Sequence, residues 1–479
     1  MDSLATTKIH AGGASGDPDG AERAAPRPVL SLFDAVALIV GIVVGAGIFR
    51  TPSLVAANAG SGEAFLAAWI LGGLVSLVGA LCYAELTTAF PSAGGDYHFL
   101  TRAFGKKTGF LFAWARMSVI QTGSVALLAF IFGDYLSQIY SFGEYSPVVY
   151  AAAAVVALTA VNVAGVKSGT GTQNLLTTTE VAGVLLVILA GFYFAAGSGP
   201  APAVAATASA EASFGLTMVF VLLTFGGWNE AAYISSELRA GKKGQRRMAK
   251  ALILGIVIIT ALYLLVNLAY LNALGIDRMA ASEAVGGDLM RLAFGETGVV
   301  LIGLLVAVSA LTSANATIFT GARTNYAMGR DFPVFAPLGK WDADAGAPVN
   351  AFVAQGLVAL GLVLLGLVTR KGFETIVEYT APVFWLFFLL VGIALFVLRR
   401  REPDAERPFR VPLYPLTPLV FCLTSAYLLY SSLAYTGLGA LVGVAVLALG
   451  ALVLALLPAL ENVLQINTTR RKKDEISAT

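Results

Sequence analysis

Residues 41–49 read Gly-Ile-Val-Val-Gly-Ala-Gly-Ile-Phe, in the middle of a long apolar stretch that begins near Ser31. Residues 224–230 read Thr-Phe-Gly-Gly-Trp-Asn-Glu, inside another apolar stretch that begins near Phe214. Glycine costs about 1 kcal/mol relative to alanine in a helix interior, so closely spaced glycines predict a break in each helix. Small residues also let helices approach closely, and close packing is the alternative interpretation of each cluster taken alone.

Apolar stretches of this kind recur along the whole chain of 479 residues. Hydrophobic residues make up 57% of it and charged residues 13%, against about 25% charged in soluble proteins. This composition indicates an integral membrane protein and excludes a soluble enzyme, a nucleic-acid binder and a disordered scaffold. The two cysteines and two histidines show no disulfide framework and no metal-ligand spacing, so no metal ion or cofactor is predicted.

A bilayer core about 30 Å thick requires about 20 apolar residues in a helix. Strands of a membrane barrel would show segments of about ten residues with alternating polarity, and these are absent from the sequence. The chain therefore predicts an all-α membrane domain over residues 29–464, between polar tails at 1–28 and 465–479 that we expect to be disordered. Its twelve predicted helices begin near Ser31, Ala64, Gly109, Val148, Leu175, Phe214, Met248, Val299, Val349, Ile376, Leu413 and Gly437.

The distribution of lysine and arginine predicts the orientation of these helices. If the termini are inside, the inner segments carry 25 of the 31 cations and the outer segments carry 4. Cytoplasmic loops are enriched in such cations, so both termini are predicted to be cytoplasmic. An odd number of helices would scramble this asymmetry, which therefore also favours twelve.

The two predicted breaks point to a binding site. Irregular backbone survives in a membrane only where it lines a protein cavity. Predicted helices 1 and 6 correspond if the chain contains two five-helix units of opposite topology, and paired interrupted helices are a pointer to the substrate site of a secondary transporter. Free N–H groups at one helix end favour a carboxylate and free carbonyls at another favour an ammonium. The breaks therefore suit a zwitterion.

Six motifs in order resemble the amino acid–polyamine–organocation superfamily, most closely its L-type amino acid transporters. They are VVGAGIF, YAELTTAFPSAGGDYHFLTRAFG, VKSGTGTQN, FGGWN, SANATIFTGAR with YAMGRDFP, and ERPFRVPLYP. The resemblance covers about Ser31 to Pro415 and implies the LeuT-like fold, an inverted repeat of five plus five helices. Repeat one would span about 31–196, repeat two about 214–398, and two extra helices about 413–458.

The resemblance also implies which backbone groups hold an amino acid substrate. In the broken helix 1, around Gly45, three N–H groups would bind the carboxylate: those of Ala46, Gly47 and Ile48. Three carbonyl groups would accept the ammonium: those of Val43, Leu223 and Gly226.

Side chains of predicted helix 6 would complete the site. Phe225 and Trp228 would form part of an aromatic gate or pocket wall, or else serve only helix packing. Asn229 stands where relatives that carry arginine or lysine tend to have a carboxylate, which favours neutral substrates. Glu230 either reads a cationic side chain or pairs with a neighbour, and both interpretations stay open.

The chain departs from the family pattern on predicted helix 5. Many relatives place a lysine there, against the break in helix 1, where it substitutes for a bound sodium ion. This chain has Glu180 at that position. A carboxylate inside a membrane is a functional-site hypothesis, and Glu180 is predicted to carry a proton. Alternatively, an ionised Glu180 holds Na⁺ together with Thr312 and Ser313, or it only bonds an amide of helix 1.

Together these features predict a permease, not an enzyme, that carries L-amino acids across the inner (plasma) membrane by alternating access. Neutral amino acids are the predicted substrates, and the protein is a proton symporter or an exchanger. The alternative is an exchanger of cationic amino acids, polyamines or other organic amines. Animal L-type carriers join a heavy chain through a cysteine in the loop after helix 3. The corresponding loop here, residues 137–147, has no cysteine, which excludes a heavy chain linked in that way.

Overall fold

A computed structural model of the chain describes residues 31–92, 94–164, 170–198, 213–237, 242–342, 345, 347–369, 372–435 and 439–458. Within these ranges all regular structure is helical, apart from an isolated β-bridge between Asp342 and Ala347. The polar tails at 1–28 and 465–479, which the sequence predicts to be disordered, lie outside the described residues.

The helices are numbered here in chain order. A π-helical turn, Arg116–Ile120, joins α5 to α6 without a loop, and α12 is kinked at Gly295. The bounds are α1 Leu32–Val43, α2 Thr51–Ala59, α3 Gly62–Ala89, α4 Asp96–Phe104, α5 Lys106–Ala115, α6 Gln121–Ile139, α7 Ser146–Val163, α8 Thr170–Ser198, α9 Phe214–Thr224, α10 Lys242–Leu274, α11 Ile276–Ala281, α12 Val285–Asp331, α13 Val349–Thr369, α14 Gly372–Arg401, α15 Leu416–Tyr435 and α16 Gly439–Pro458.

Ten of the described helices are long and apolar enough to cross a membrane, and the bent pair Ala35–Phe49 and Thr51–Ala59 makes up to eleven. The segment Phe214–Glu237, where the sequence predicts helix 6, is broken into two shorter pieces. Large apolar side chains such as Leu189, Leu357 and Leu423 are more than 60% exposed on these helices. An apolar outer surface of this extent suits lipid rather than water, and it supports a multi-pass membrane protein.

Two groups of packed helices position the candidate site. In the first, α10 packs against α1 and α3, and α9 packs against α3. In the second, α6 packs against α7, α12 and α13. The long helix α8 contacts α1, α10 and α12, so it bridges the two groups beside the break in the first helix.

The short helix α4 lies between the spans Gly62–Ala89 and Lys106–Ile139. Two of its side chains anchor it to other parts of the chain. The Tyr97 hydroxyl donates a hydrogen bond to the carboxylate of Asp331 at the end of α12. Arg102 forms two hydrogen bonds with Glu402, of 2.7 and 2.6 Å. The helix therefore covers one end of the protein, called the α4 side below.

Candidate functional site

The first break lies inside residues 41–49, where the glycines predict it. Helix α1 ends at Val43, and a short 3-10 helix, Ala46–Phe49, follows Gly45 before α2 begins. Beyond this break, the segments Ala35–Phe49 and Thr51–Ala59 are bent by 61° relative to each other. A new helix leaves its first N–H groups without intrahelical acceptors, and here these groups belong to Ala46 and Gly47. Ile48, by contrast, donates to the carbonyl of Gly45 over 3.4 Å.

The second break lies at Phe225–Gly227. Helix α9 ends at Thr224, and a 3-10 segment, Trp228–Glu237, begins after Gly227. Gly227 has a φ of +109°, a conformation that side-chain-bearing residues rarely adopt. The Gly226 N–H donates to the Leu223 carbonyl over 3.0 Å. The carbonyl of Gly226 itself has no hydrogen bond recorded within the described part of the chain.

A cavity lies between the two breaks and reaches α6, α12 and α14. It brings together eight of the residues that the sequence predicts for substrate binding or coupling. Asn229 and Glu230 add polar side chains to a wall that is otherwise largely apolar. The eight residues are Val43, Gly45, Gly47, Leu223, Gly226, Asn229, Glu230 and Ser313.

Other predicted residues lie behind the cavity wall. Phe225 is fully buried and packs against Trp69 and Tyr263, with ring centres 6.1 and 5.0 Å away. Trp228 packs edge-on against Tyr83 with ring centres 5.0 Å apart. Helix packing, the alternative that the sequence leaves open for these two aromatic residues, describes their position in this structure. Ala46 and Ile48 are also buried outside the cavity lining, and the Ile48 N–H is already bonded to Gly45. Of these two residues only Ala46 therefore keeps a backbone N–H that is free within the described part of the chain, and the predicted contact of the Ile48 N–H is not supported.

The Tyr263 hydroxyl of α10 connects the two breaks. It lies 2.6 Å from the carbonyl oxygen of Val43 and 3.0 Å from that of Thr224, and its single proton can serve one of them at a time. Val43 also accepts a hydrogen bond from Gly45 N–H over 2.7 Å. Both lone pairs of the Val43 carbonyl are therefore engaged, and an ammonium can bind there only if Tyr263 turns its proton to Thr224.

Several cavity residues were not predicted from the sequence. Thr317 of α12 and Thr380, Phe384 and Trp385 of α14 line the wall opposite the breaks. Thr317 lies in the SANATIFTGAR motif and Thr380 stands two residues after Glu378, but no glycine cluster marks either position as part of a helix break. Their role follows only from how the helices pack.

Behind the break in the first helix lies a buried polar group on α8 and α12. Glu180 is 4% exposed, and the Ser309 hydroxyl lies beside it. Within the described residues, neither carboxylate oxygen of Glu180 has a hydrogen-bond partner, nor do the hydroxyls of Thr177, Ser309 and Ser313. Buried polar atoms of this kind are normally satisfied by a ligand, an ion or water.

The structure corrects one member of the predicted coupling set. The Thr312 hydroxyl donates to the Val308 carbonyl of its own helix over 2.8 Å and does not join Glu180. Residues four apart share a helix face, whereas adjacent residues do not. Ser309 therefore accompanies Ser313, and Thr312 faces elsewhere.

Glu230 has a charged partner, Arg116, that is not itself part of the cavity lining. Its carboxylate accepts a hydrogen bond from Arg116 over 2.8 Å, and the Arg116 side chain is 2% exposed. Arg116 also stacks over the ring of Tyr233, 4.2 Å from the ring centre. Of the two interpretations left open by the sequence, pairing with a neighbour is the one that this arrangement favours.

The chain is similar to known transport proteins over most of its length. The sequence profile described as amino acid permease matches residues 30–456. The b(0,+)-type amino acid transporter 1 of Mus musculus is 31% identical over 84% of this chain and 81% of its own length. The human large neutral amino acids transporter small subunit 2 is 30% identical over 89% and 81%. The serine/threonine exchanger SteT of Bacillus subtilis is 27% identical over 87% and 94%.

Proposed function

Since the chain belongs to the amino acid permease family, we propose that it carries neutral L-amino acids across a membrane by alternating access. Members of the family are transporters, not enzymes. The observation that carries the proposal is the cavity between two helix breaks, with backbone groups of both breaks on its wall. The amino and carboxyl groups of an amino acid are the features that such backbone groups can recognise.

The substrate's charged groups are assigned to the two breaks. Its carboxylate binds the free N–H groups at Ala46 and Gly47, where the new helix begins. Its ammonium binds the Gly226 carbonyl and, when Tyr263 turns away, the Val43 carbonyl. These contacts are complementary in charge. They would orient the side chain of the substrate toward α6 and α14.

Neutral side chains suit the remainder of the cavity best. Leu127, Leu128 and Val219 line it together with Phe384, so much of the wall is apolar. Glu230 is the carboxylate that would read a cationic side chain, but Arg116 already neutralises it. An exchanger of cationic amino acids or amines is the alternative function, in which Glu230 would read the positive charge of the substrate.

Coupling is proposed to reside at Glu180. Its buried carboxylate has no recorded hydrogen bond among the described residues, and an isolated ionised carboxylate is costly to bury. We therefore infer that Glu180 carries a proton during part of the transport cycle. Ser309 and Ser313 would orient the carboxyl group.

Uptake into proteoliposomes tests this role. Empty vesicles and vesicles loaded with unlabelled amino acid are compared, each with and without an inward proton gradient. We expect the gradient to stimulate uptake into empty vesicles several-fold, and Glu180→Gln to abolish this stimulation while exchange into loaded vesicles continues. Uptake seen only in loaded vesicles and indifferent to the gradient would make the protein a pure exchanger and Glu180 a structural residue. A Thr312→Val variant is the control, because Thr312 faces away from the group.

We propose a topology and a cellular location as well. Twelve helices, arranged as an inverted repeat over about 31–196 and 214–398 with further helices over 413–458, would place both termini in the cytoplasm. We propose the inner membrane of the cell as the location, with no heavy chain joined through a disulfide. The asymmetry of lysine and arginine supports this orientation, and protease cleavage of a terminal tag only from the cytoplasmic side would test it.

A further inference from the structure

A second polar cluster lies on the α4 side of the cavity, and it is not part of the coupling group at Glu180. The Asp96 cluster is defined as Asp96 of α4, Arg116 of the π-helical turn, Tyr83 of α3, and Glu230 and Tyr233 of the segment that follows the second break. Asp96 is 3% exposed, and the cluster joins elements from four parts of the chain.

The charges in this cluster do not balance. Two carboxylates, Asp96 and Glu230, share a single guanidinium group, that of Arg116. With all three ionised the net charge is −1, and an uncompensated charge is costly to bury. Glu85 on the neighbouring α3 is bonded to Arg399 and Arg407 and not to a member of the cluster.

Several atoms of the cluster also lack partners. Asp96 Oδ1, Arg116 Nε and the Tyr233 hydroxyl are buried with no hydrogen bond to the described residues. Tyr83 and Asn229 turn their polar groups toward Asp96. Glu230 lines the cavity, as does the neighbouring Asn229, so the cluster adjoins the proposed substrate site.

We propose that the Asp96 cluster is a proton-binding site, in which Asp96 holds a proton while the segment Trp228–Glu237 is packed against α4. When the segment moves away, water reaches Asp96, its O–H bond breaks, and the proton passes to the aqueous phase on the α4 side. The ionised carboxylate is then solvated instead of buried. The inference accompanies the proposed carrier cycle, because that cycle requires the α4 side to open.

The contacts around Asp96 explain how proton binding and packing are linked. The Tyr233 ring lies against Gly95, where an added Cβ would come within 2.6 Å of it, so the packed state holds the segment tightly on the start of α4. In that state burial raises the pKa of Asp96 to about 7, with Arg116, Tyr83 and Asn229 opposing the rise and Glu230 adding to it. In water an aspartate has a pKa of about 4.

The sign of the pH effect follows from these two values. The packed state binds the proton more tightly than the open state, so it is favoured when the pH is low. Between about pH 4 and about pH 7 Asp96 is ionised in the open state but still protonated in the packed state. The population of the open state relative to the packed state therefore rises by up to about tenfold per pH unit. Above pH 7 both states are ionised and the equilibrium no longer changes.

Thiol labelling tests the proposal without a transport assay. The two native cysteines, Cys82 and Cys422, are buried and are replaced by alanine. A single cysteine is then introduced by Ala231→Cys, at a position 1% exposed beside Glu230, or by Tyr140→Cys, at a position 68% exposed. The rate of reaction with N-ethylmaleimide is measured for each variant. The labelling ratio is the rate for Ala231→Cys divided by the rate for Tyr140→Cys, and this division removes the pH dependence of the thiol itself. In detergent solution we expect this ratio to rise by at least about tenfold from pH 5 to pH 7 and then to stay constant.

Variants decide between proton binding at Asp96 and other causes. Asp96→Asn is expected to give the same ratio at every pH, whereas Glu402→Gln, which alters an exposed pair on the same side, keeps the rise. Glu230→Gln leaves Arg116 to pair with Asp96 alone and should shift the midpoint of the rise in the labelling ratio to lower pH. This variant decides the matter if Asp96→Asn does not fold. A flat ratio in the unaltered cluster, a rise that persists in Asp96→Asn, or an unchanged midpoint in Glu230→Gln would each overturn the proposal.

Discussion

Replacement of Gly227 by alanine is expected to lower the initial rate of amino acid uptake by about tenfold or more. Gly227 has a φ of +109°, and an added Cβ would lie 2.9 Å from Cγ2 of Ile42. A side chain in such a conformation costs roughly 1–3 kcal/mol, and relief of the contact would push the two helix breaks apart. Each 1.4 kcal/mol corresponds to about a tenfold change in rate.

The matched control for this change is Gly361→Ala on α13. No atom lies within 4 Å of a Cβ added there, and alanine is the better helix former. Initial uptake rates in proteoliposomes, corrected for the amount of protein inserted, should therefore be unchanged in Gly361→Ala. Near-normal uptake by Gly227→Ala would contradict the role assigned to the second break.

Replacement of Glu85 by glutamine is expected to produce the largest loss of stability. Glu85 is 1% exposed and accepts hydrogen bonds from Arg399 over 2.7 Å and from the Val411 N–H over 2.7 Å. Arg407 lies 3.4 Å away. Glutamine has one acceptor oxygen and no charge, so two largely buried guanidinium groups lose their counter-ion. Breaking a buried pair in this way costs about 3–5 kcal/mol.

Thermal unfolding of purified protein in detergent measures this loss. Glu402→Gln is the control, because Glu402 also pairs with an arginine on the α4 side but both side chains are considerably exposed, at 29% and 42%. Exposed pairs contribute at most about 1 kcal/mol. We expect a clear drop in Tm for Glu85→Gln and little change for Glu402→Gln. Equal effects of the two substitutions would show that burial does not distinguish these pairs.

The two helix breaks could be located from the sequence because glycine acts locally. The clusters at 41–49 and 224–230 weaken the helix at the positions where they occur, whatever surrounds them. Membrane-spanning helices can also be predicted from one stretch of sequence at a time, because they depend on the length and hydropathy of that stretch. The structure describes ten or eleven candidate spans, and the predicted count of twelve and the inverted repeat stay predictions.

The pairing of side chains between helices could not be predicted from local stretches of sequence. Arg116 and Glu230 are 114 residues apart in sequence, and a π-helical turn begins at Arg116. Such a turn changes the face of the helix on which the following residues lie, so regular helical spacing does not predict the neighbours of Arg116. Ser309 could likewise not be predicted. The motif near residue 313 marks a stretch of the chain, but it does not show which face of that helix points to Glu180, so it does not distinguish Ser309 from Thr312.

The two proposed proton sites differ in position and can be separated by experiment. Glu180 lies behind the break in the first helix, between α8 and α12, while Asp96 lies on the α4 side near the second break. Loss of gradient-driven uptake in Glu180→Gln with an unchanged labelling profile would assign coupling to the first site. The Asp96 cluster would then respond to pH only by controlling the opening of the α4 side.

The proposed function requires that the cavity between the two breaks binds and carries a neutral amino acid. Uptake of labelled leucine into proteoliposomes loaded with unlabelled leucine measures this, with excess external leucine, arginine or a diamine as competitor. We expect uptake well above that of protein-free vesicles, strong inhibition by leucine, and little inhibition by arginine or the diamine. Uptake no greater than in protein-free vesicles, or inhibition by the cationic compounds alone, would show that the protein is not a carrier of neutral amino acids.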